Sequence, residues 1–297
     1  IKHYKGHIIV MENIHGMPLL NVQVFESIRN GDKQLKKNKL MLILKIFIKM
    51  AEIIENLHNK NLIHKEINPG IFLINSDFSQ VSILDFTLTK KIKNSKKEFY
   101  NTEGIEGLLP YISPEQTGRM GRFIDYRTDF YSLGVSMYEL ITGKRPFTTN
   151  NMLEMIHSHI AKTPIAPYIE NPDIPKPVSE IIMKLMSKEL EQRYESAQGI
   201  VQDLRKCVDS LDSLGIVEDF EVGMNDISNK FKIPQKLYGR ERESETLKQL
   251  YEQVAKGGSH MLLVGGYAGV GKTSIIQEIY RPVAELGGFF ASGKGEQ

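Results

Sequence analysis

The sequence predicts an α+β chain in two unequal parts: a long, mainly helical unit with a few short strands, then the opening of an α/β domain. Three observations carry this. Between Leu40 and His58 the residues Leu40, Ile43, Leu44, Phe47, Ala51, Ile54 and Leu57 fall at three- and four-residue steps, the period of a helix with one buried face. Two short apolar runs, Ile71–Ile74 and Val81–Leu84, flank the turn-forming stretch Asn75–Ser79, the pattern of a hairpin. Near the far end a glycine-rich loop separates an apolar run from a new helical pattern.

In chain order, residues 7–12 are β-branched and apolar and predict a short buried strand. The helix over Leu40–His58 closes at a turn, Asn59–Asn61, and the hairpin follows. A polar loop runs to about Tyr111, then a helix over Thr128–Thr142 that Gly143 ends. Helices are expected around Met152–Ala161, Val178–Met186 and Ala197–Leu211. The proline-rich stretch Thr163–Pro177 lies between two of them and reads as a stiff internal loop. Leu214–Lys236 has no sustained periodicity and is the expected boundary. Beyond it come a helix over Glu241–Lys256, a strand over Met261–Val264, and a helix over Thr273–Tyr280 that stops near Pro282.

Composition removes several classes. The 297 residues suit two domains, with 41% hydrophobic and 25% charged residues. A formal charge of +2 gives no electrostatic case for nucleic acid or an anionic membrane. The lysine-rich stretches 33–39 and 90–97 read as solvated loops. The most apolar stretch, Leu40–Met50, is interrupted by Lys45 and Lys49, so no spanning segment is expected. A single cysteine, Cys207, permits no internal disulfide and suits the cytoplasm; on an amphipathic helix it is expected to be a buried structural thiol. His157 and His159, two apart on a helix, point to different faces and do not suggest a metal site. With isoleucine at position 1, the chain is expected to begin inside a longer protein.

The sharpest motif is Gly266-Tyr-Ala-Gly269-Val-Gly271-Lys272-Thr273, which satisfies G-x-x-x-x-G-K-[ST] with a strand before it and a helix after. Its glycines let backbone N–H groups converge on phosphate oxygens, with the helix N-terminus adding favourable dipole. Lys272 is expected to reach the outer phosphates and the Thr273 hydroxyl to ligate Mg²⁺, which makes ATP the expected ligand. Only 24 residues follow Thr273, without the downstream acid that such ATPases use, so hydrolysis by this chain is not expected.

A second constellation spans the helical unit. His64-Lys65-Glu66, the hairpin, Asp85-Phe86-Thr87, Ser113-Pro114-Glu115, Asp129-Phe-Tyr-Ser-Leu-Gly134 and Arg193 follow in the order and spacing of a protein-kinase C-lobe. More closely, Tyr111–Arg119, Asp125–Gly134, Ile233–Arg240 and Gly265–Thr273 resemble a family of bacterial multidomain signalling proteins. These join a serine/threonine-kinase-like domain to an AAA-type P-loop ATPase and, further on, to sensor and histidine-kinase modules. The resemblance covers essentially the whole chain. It implies a remnant of the kinase N-lobe and hinge at 1–14, a C-lobe at 15–213, a linker at 214–236 and a truncated ATPase domain at 237–297.

The same resemblance assigns roles. Glu12 and Ile14 correspond to the hinge, Glu66 to the catalytic-loop acid and Asp85 to the metal-binding aspartate. His64, Asp129, Glu115 and Arg193 correspond to structural positions, with Glu115 paired to Arg193 and Asp129 bracing the catalytic loop. Gly266, Gly269, Gly271, Lys272 and Thr273 form the nucleotide site, with Asp85 and Thr273 as metal ligands for Mg²⁺. Ser95, Tyr100 and Thr102 fall in the activation-loop equivalent and are candidate phosphorylation positions.

Departures from the kinase pattern decide what the lobe can do. Glu66 replaces an aspartate, displacing the carboxylate by about an ångström, which costs on the order of 10²-fold in rate. Ile71 stands where asparagine binds the second Mg²⁺, and an apolar side chain ligates no Mg²⁺. Thr87 replaces the glycine after Asp85-Phe86 and restricts the backbone. Lys65 replaces an arginine, and Leu108 a threonine of the substrate-facing loop. No Gly-rich loop or strand lysine precedes the hinge in this chain. The expected function is therefore a kinase-like regulatory module fused to an ATP-binding signalling domain, with ATP bound in the intact parent and phosphotransfer degraded. Two alternatives stand beside it: an active serine/threonine kinase in the parent, acting on protein substrates, and a nucleotide-gated interaction scaffold with protein partners.

Overall fold

A computed structural model describes residues 16–30, 35–91, 109–120, 122–226, 239–267, 269–285 and 288. The expected strand at 7–12, the hinge positions Glu12 and Ile14, Leu108, and the candidate phosphorylation positions Ser95, Tyr100 and Thr102 lie outside the described residues.

The chain enters through β1 (Met17–Pro18) and a short helix α1 (Gln23–Arg29) into α2 (Lys37–Asn59). The apolar stripe of α2 is fully used: Leu40, Ile43, Leu44, Phe47, Ala51, Ile54 and Leu57 are all buried, with Ile46 and Met50 beside them. Next come β2 (Leu62–Ile63), the hairpin β3 (Phe72–Ile74) and β4 (Val81–Ile83), and β5 (Lys90–Lys91). β3 lies between β1 and β4, antiparallel to both, with Phe72 opposite Ile83 and Met17 opposite Ile74. β2 and β5 pair separately, Leu62 opposite Lys91. Everything between β2 and β5 thus leaves and returns at one place, which brings His64 and Glu66 near Asp85.

Helix α3 (Arg127–Thr142) runs through the middle of the lobe and is buried on nearly all sides, as its polar face has no solvent to meet. Gly143 closes it in the left-handed conformation (φ 76°), where a side chain would also strike the backbone of Ile28 and Arg29. The lobe continues through α4 (Met152–Ala161), α5 (Pro167–Glu170), α6 (Lys176–Leu185) and α7 (Ala197–Leu214). The proline-rich stretch 163–177 therefore holds one turn of helix and the start of another; Pro167 and Pro177 sit in first turns, where a missing N–H is not needed. Asn151 and Ser196 cap α4 and α7 through their side chains. Ile200, Val201, Leu204, Cys207 and Leu211 of α7 join the α2 stripe in one core, and the Cys207 thiol is buried, its pKa pushed up by burial to about 12. A smaller cluster, with Leu109, Met120, Phe147, Met155 and Ile160, lies under the loops before α4.

The terminal part contains α8 (Glu241–Ala255), α9 (Lys272–Gln277) and α10 (Tyr280–Glu285). Two expectations fail here. Met261–Val264 is not a strand: no described strand lies beside it to complete its hydrogen bonds, and Met261 and Leu263 stand more than four-fifths exposed. The last helix does not run on to Tyr280; it ends at Gln277, and Pro282 sits in the first turn of α10, where proline is tolerated.

Candidate functional site

The site is built around Asp129, which opens α3 and faces back to the loop after β2. Its Oδ1 accepts the Lys65 N–H at 2.8 Å; its Oδ2 accepts the His64 N–H at 2.9 Å and lies 2.9 Å from His58 Nε2. These bonds hold Lys65 at φ 71°, a conformation that a side-chain-bearing residue takes only under constraint. His64 is fully buried, and burial pushes its imidazole pKa down, partly offset by Asp129 and the carbonyls of Leu84 and Asp85. The Phe86 ring leans on it with centroids 5.4 Å apart.

From this brace the loop presents Glu66 toward Asp85. The pKa of Glu66 is raised, first by burial and then by the Asp85 charge. Asn68 caps the 3-10 turn Pro69–Ile71 by accepting the Gly70 N–H at 2.9 Å and donates to the Glu66 carbonyl at 3.0 Å. Ile71 is buried and belongs to the main core. Ile71, expected to fall at the position of a second metal ligand, is thus spent on packing.

Asp85 also has a positive φ, of 59°. Its Oδ1 accepts both the Thr87 N–H (3.0 Å) and the Thr87 hydroxyl (2.6 Å). Those two hydrogen bonds are the main reason its pKa is lowered, so the carboxylate is charged and one of its oxygens is already engaged. One ionised carboxylate suits a single Mg²⁺; the two-ion set of an active kinase does not fit Ile71.

Below the loop, Glu115 and Arg193 meet as expected. Arg193 Nη1 donates to Glu115 Oε1 at 2.8 Å and Nη2 donates to Oε2 at 2.9 Å, with both side chains buried. Burial alone would raise the Glu115 carboxyl; Arg193 and the Thr128 hydroxyl override it and hold its pKa below the usual value. The neighbouring Gln116 donates to the Lys65 carbonyl at 2.8 Å, tying this anchor to the loop after β2. That contact, the His58–Asp129 contact and the capture of Asp85 by the Thr87 hydroxyl were missed by sequence reasoning; only the presence of Thr87 itself signalled the last.

The glycine-rich loop follows far along the chain, after α8. Gly266, Gly269 and Gly271 all have positive φ, and space is open around Gly269. Lys272 and Thr273 open α9, and the Lys272 ammonium donates to the carbonyls of Gly266 and Tyr267, each at 2.7 Å. A lysine beside a glycine loop at a helix start is a donor that fits a polyphosphate.

Residues 2–204 match the protein kinase domain, and residues 236–297 match the AAA ATPase domain. Among curated proteins the chain is 28% identical to hybrid signal transduction histidine kinase G of Dictyostelium discoideum, over 79% of this chain and 9% of that protein. It is 35% identical to a probable serine/threonine-protein kinase of Clostridium perfringens, over 55% of this chain and 23% of the relative. It is 29% identical to a probable serine/threonine-protein kinase of Streptomyces coelicolor, over 68% of this chain and 28% of that one. The chain thus spans less than a third of the length of each of these relatives.

Proposed function

Because this chain belongs to the protein kinase family, with the opening of an AAA ATPase domain behind the kinase-type lobe, we propose that it is the regulatory core of a signalling protein. In this reading a kinase-like lobe over residues 15–213 is fused to an ATP-binding module over 237–297, in a cytoplasmic parent. The lobe has lost useful phosphotransfer, and ATP with Mg²⁺ is held at Gly266–Thr273 of the intact parent. The relatives' names, which pair serine/threonine kinases with signalling histidine kinases, support the setting.

The observation that carries the loss of phosphotransfer is the pair Asp85–Thr87 beside Ile71. Phosphoryl transfer depends on positioning and on neutralising the charge of the moving group. Bound Mg²⁺ would supply that neutralisation. Of the two residues that should hold it, one is buried apolar core and the other is tied by the hydroxyl two positions on. Glu66, one methylene longer than aspartate, remains the group that could take a proton from a hydroxyl, and its raised pKa suits that task. That supports the alternative of a slow but active kinase.

A radiolabelled-phosphate assay on the full-length parent decides between them. The unmodified protein is expected to transfer phosphate at background rates. A Glu66→Asp, Ile71→Asn, Thr87→Gly variant is expected to gain at least about tenfold, the equivalent of ~1.4 kcal/mol off the barrier. Ordinary kinase rates in the unmodified parent, abolished by Asp85→Ala, would overturn the reading.

A further inference from the structure

The stretch that follows α7 has no periodicity in sequence, yet residues 215–226 lie back on the lobe. Gly215 turns the chain in the left-handed conformation, and Val217, Phe220 and Val222 pack against the main core. The Lys206 ammonium sits 5.0 Å from the centre of the Phe220 ring. The Gly223 N–H donates to Asp203 Oδ2 at 2.6 Å, an acceptor shared with the Tyr194 hydroxyl at 2.8 Å. Asp226 then closes the segment. Its carboxylate accepts the Glu195 N–H, the Ser196 N–H (3.0 Å) and the Ser196 hydroxyl (2.8 Å). This loop immediately precedes α7, so Asp226 supplements the Ser196 cap from 30 positions away.

Gly199 explains how the two fit. It lies in the first turn of α7, where alanine would otherwise favour the helix. A Cβ there would fall 2.7 Å from Asp226 Cγ and 2.8 Å from Asp226 Cβ. The glycine therefore makes room for the carboxylate.

The loop that Asp226 holds is wired further inward. Glu195 Oε1 accepts from Arg127 Nη1 at 3.2 Å, and the Glu195 carbonyl accepts the Tyr126 hydroxyl at 2.9 Å. The Arg127 carbonyl accepts from Arg193 Nη1 at 3.0 Å, the same nitrogen that holds Glu115.

We propose that residues 215–226 are a clasp, closed by Asp226 over Gly199, that couples the connection to the ATP-binding module with the Glu115–Arg193 anchor of the activation segment. The lobe's docking surface, between the N-terminus of α7 and Asp203, takes this segment of its own chain as its partner. A pull or release on the connection acts first on Glu195 and Ser196, then through Arg127 on the anchor. The coupling is reciprocal, since loosening the anchor weakens the clasp by the same free energy.

Amide hydrogen exchange on the whole chain tests this with Gly199→Ala, which fills the space, and Asp226→Asn, which turns one acceptor into a donor. In both variants exchange is expected to rise at least about tenfold at Glu195, Ser196 and Gly223. It is also expected to rise at Gln116 and Gly118, whose amides bond within the anchor, while the amides of 44–57 in α2 stay protected. Unchanged exchange at Glu195 and Ser196 in the Asp226→Asn chain overturns the clasp. A rise confined to 195–226, with Gln116 and Gly118 unchanged, overturns the coupling. Should Gly199→Ala fail to fold, Asp226→Asn carries the same readouts.

Discussion

Arg193 forms a two-point fork on Glu115 from 78 positions away, and both side chains are shut off from water. Such a pair binds the two segments in one geometry, since each oxygen has its own nitrogen. Removing one partner leaves the other buried and uncompensated. Glu115→Ala is therefore expected to destabilise the chain by about 3–5 kcal/mol in urea unfolding. Glu115→Ala with Arg193→Met is expected to lose less than Glu115→Ala alone, because no unpaired charge remains.

Gly134 sits in the buried helix α3, where a Cβ would meet Leu185 Cβ at 2.7 Å and Met186 Cγ at 2.9 Å. Helix propensity favours Gly134→Ala by about 1 kcal/mol, and the lost close approach of α3 to α6 opposes it. Overpacking is expected to win, with a net loss of about 1–3 kcal/mol in thermal or urea unfolding. A stabilised variant would show that α6 yields.

His159 is buried with its Nδ1 3.0 Å from the Tyr131 hydroxyl, and burial, helped by Lys188, pushes its pKa from 6.5 down to about 3. Its charged form is disfavoured in the folded state, so between those two pH values the unfolded chain binds the proton and the folded chain does not. The stability it confers is complete above pH 6.5 and is lost as pH falls toward 3, by up to about 1.4 kcal/mol per unit. Urea unfolding at pH 7 and pH 5 should show a smaller difference for His159→Asn than for the native chain. The depressed His64 leaves a residual slope of the same sign.

Lys272 answers to two loop carbonyls, which a bound phosphate would replace as its partners. In the full-length parent, Lys272→Ala is expected to weaken ATP binding at least about tenfold in calorimetry, and Asp85→Ala to change it little. Binding that survives Lys272→Ala and falls with Asp85→Ala would move the nucleotide into the kinase-like lobe.

Much of the lobe could be read in advance because its signals are local. The α4 bounds, the stop at Gly143 and the hairpin about Asn75–Ser79 each depend on residues within a turn or two. Glu115, Asp129 and Arg193 could be placed through the resemblance to the kinase lobe, although they meet across long distances in sequence. Met261–Val264 misled for the opposite reason: β-branched or apolar character describes a strand only when a neighbour completes it. The clasp was invisible because Asp226 caps a helix that begins 29 residues before it, and aspartate in a polar stretch carries no sign of that. Thr87 could be seen as a departure, but not that its hydroxyl would turn onto Asp85 rather than to solvent.

The packing of α2 on α7 has a consequence for synthesis. Arg205 meets Glu52 across 153 residues, and the apolar stripe of α2 shares its core with Ile200, Leu204 and Leu211. At about 5–20 residues per second, a ribosome needs roughly 8–30 s to deliver α7 after α2 has been made. Throughout that interval Ile43, Phe47 and Ile54 lack the surface that covers them. The nascent lobe thus carries uncovered apolar surface for that time, and slowing elongation between the hairpin and α7 is expected to lower soluble yield without altering the finished fold.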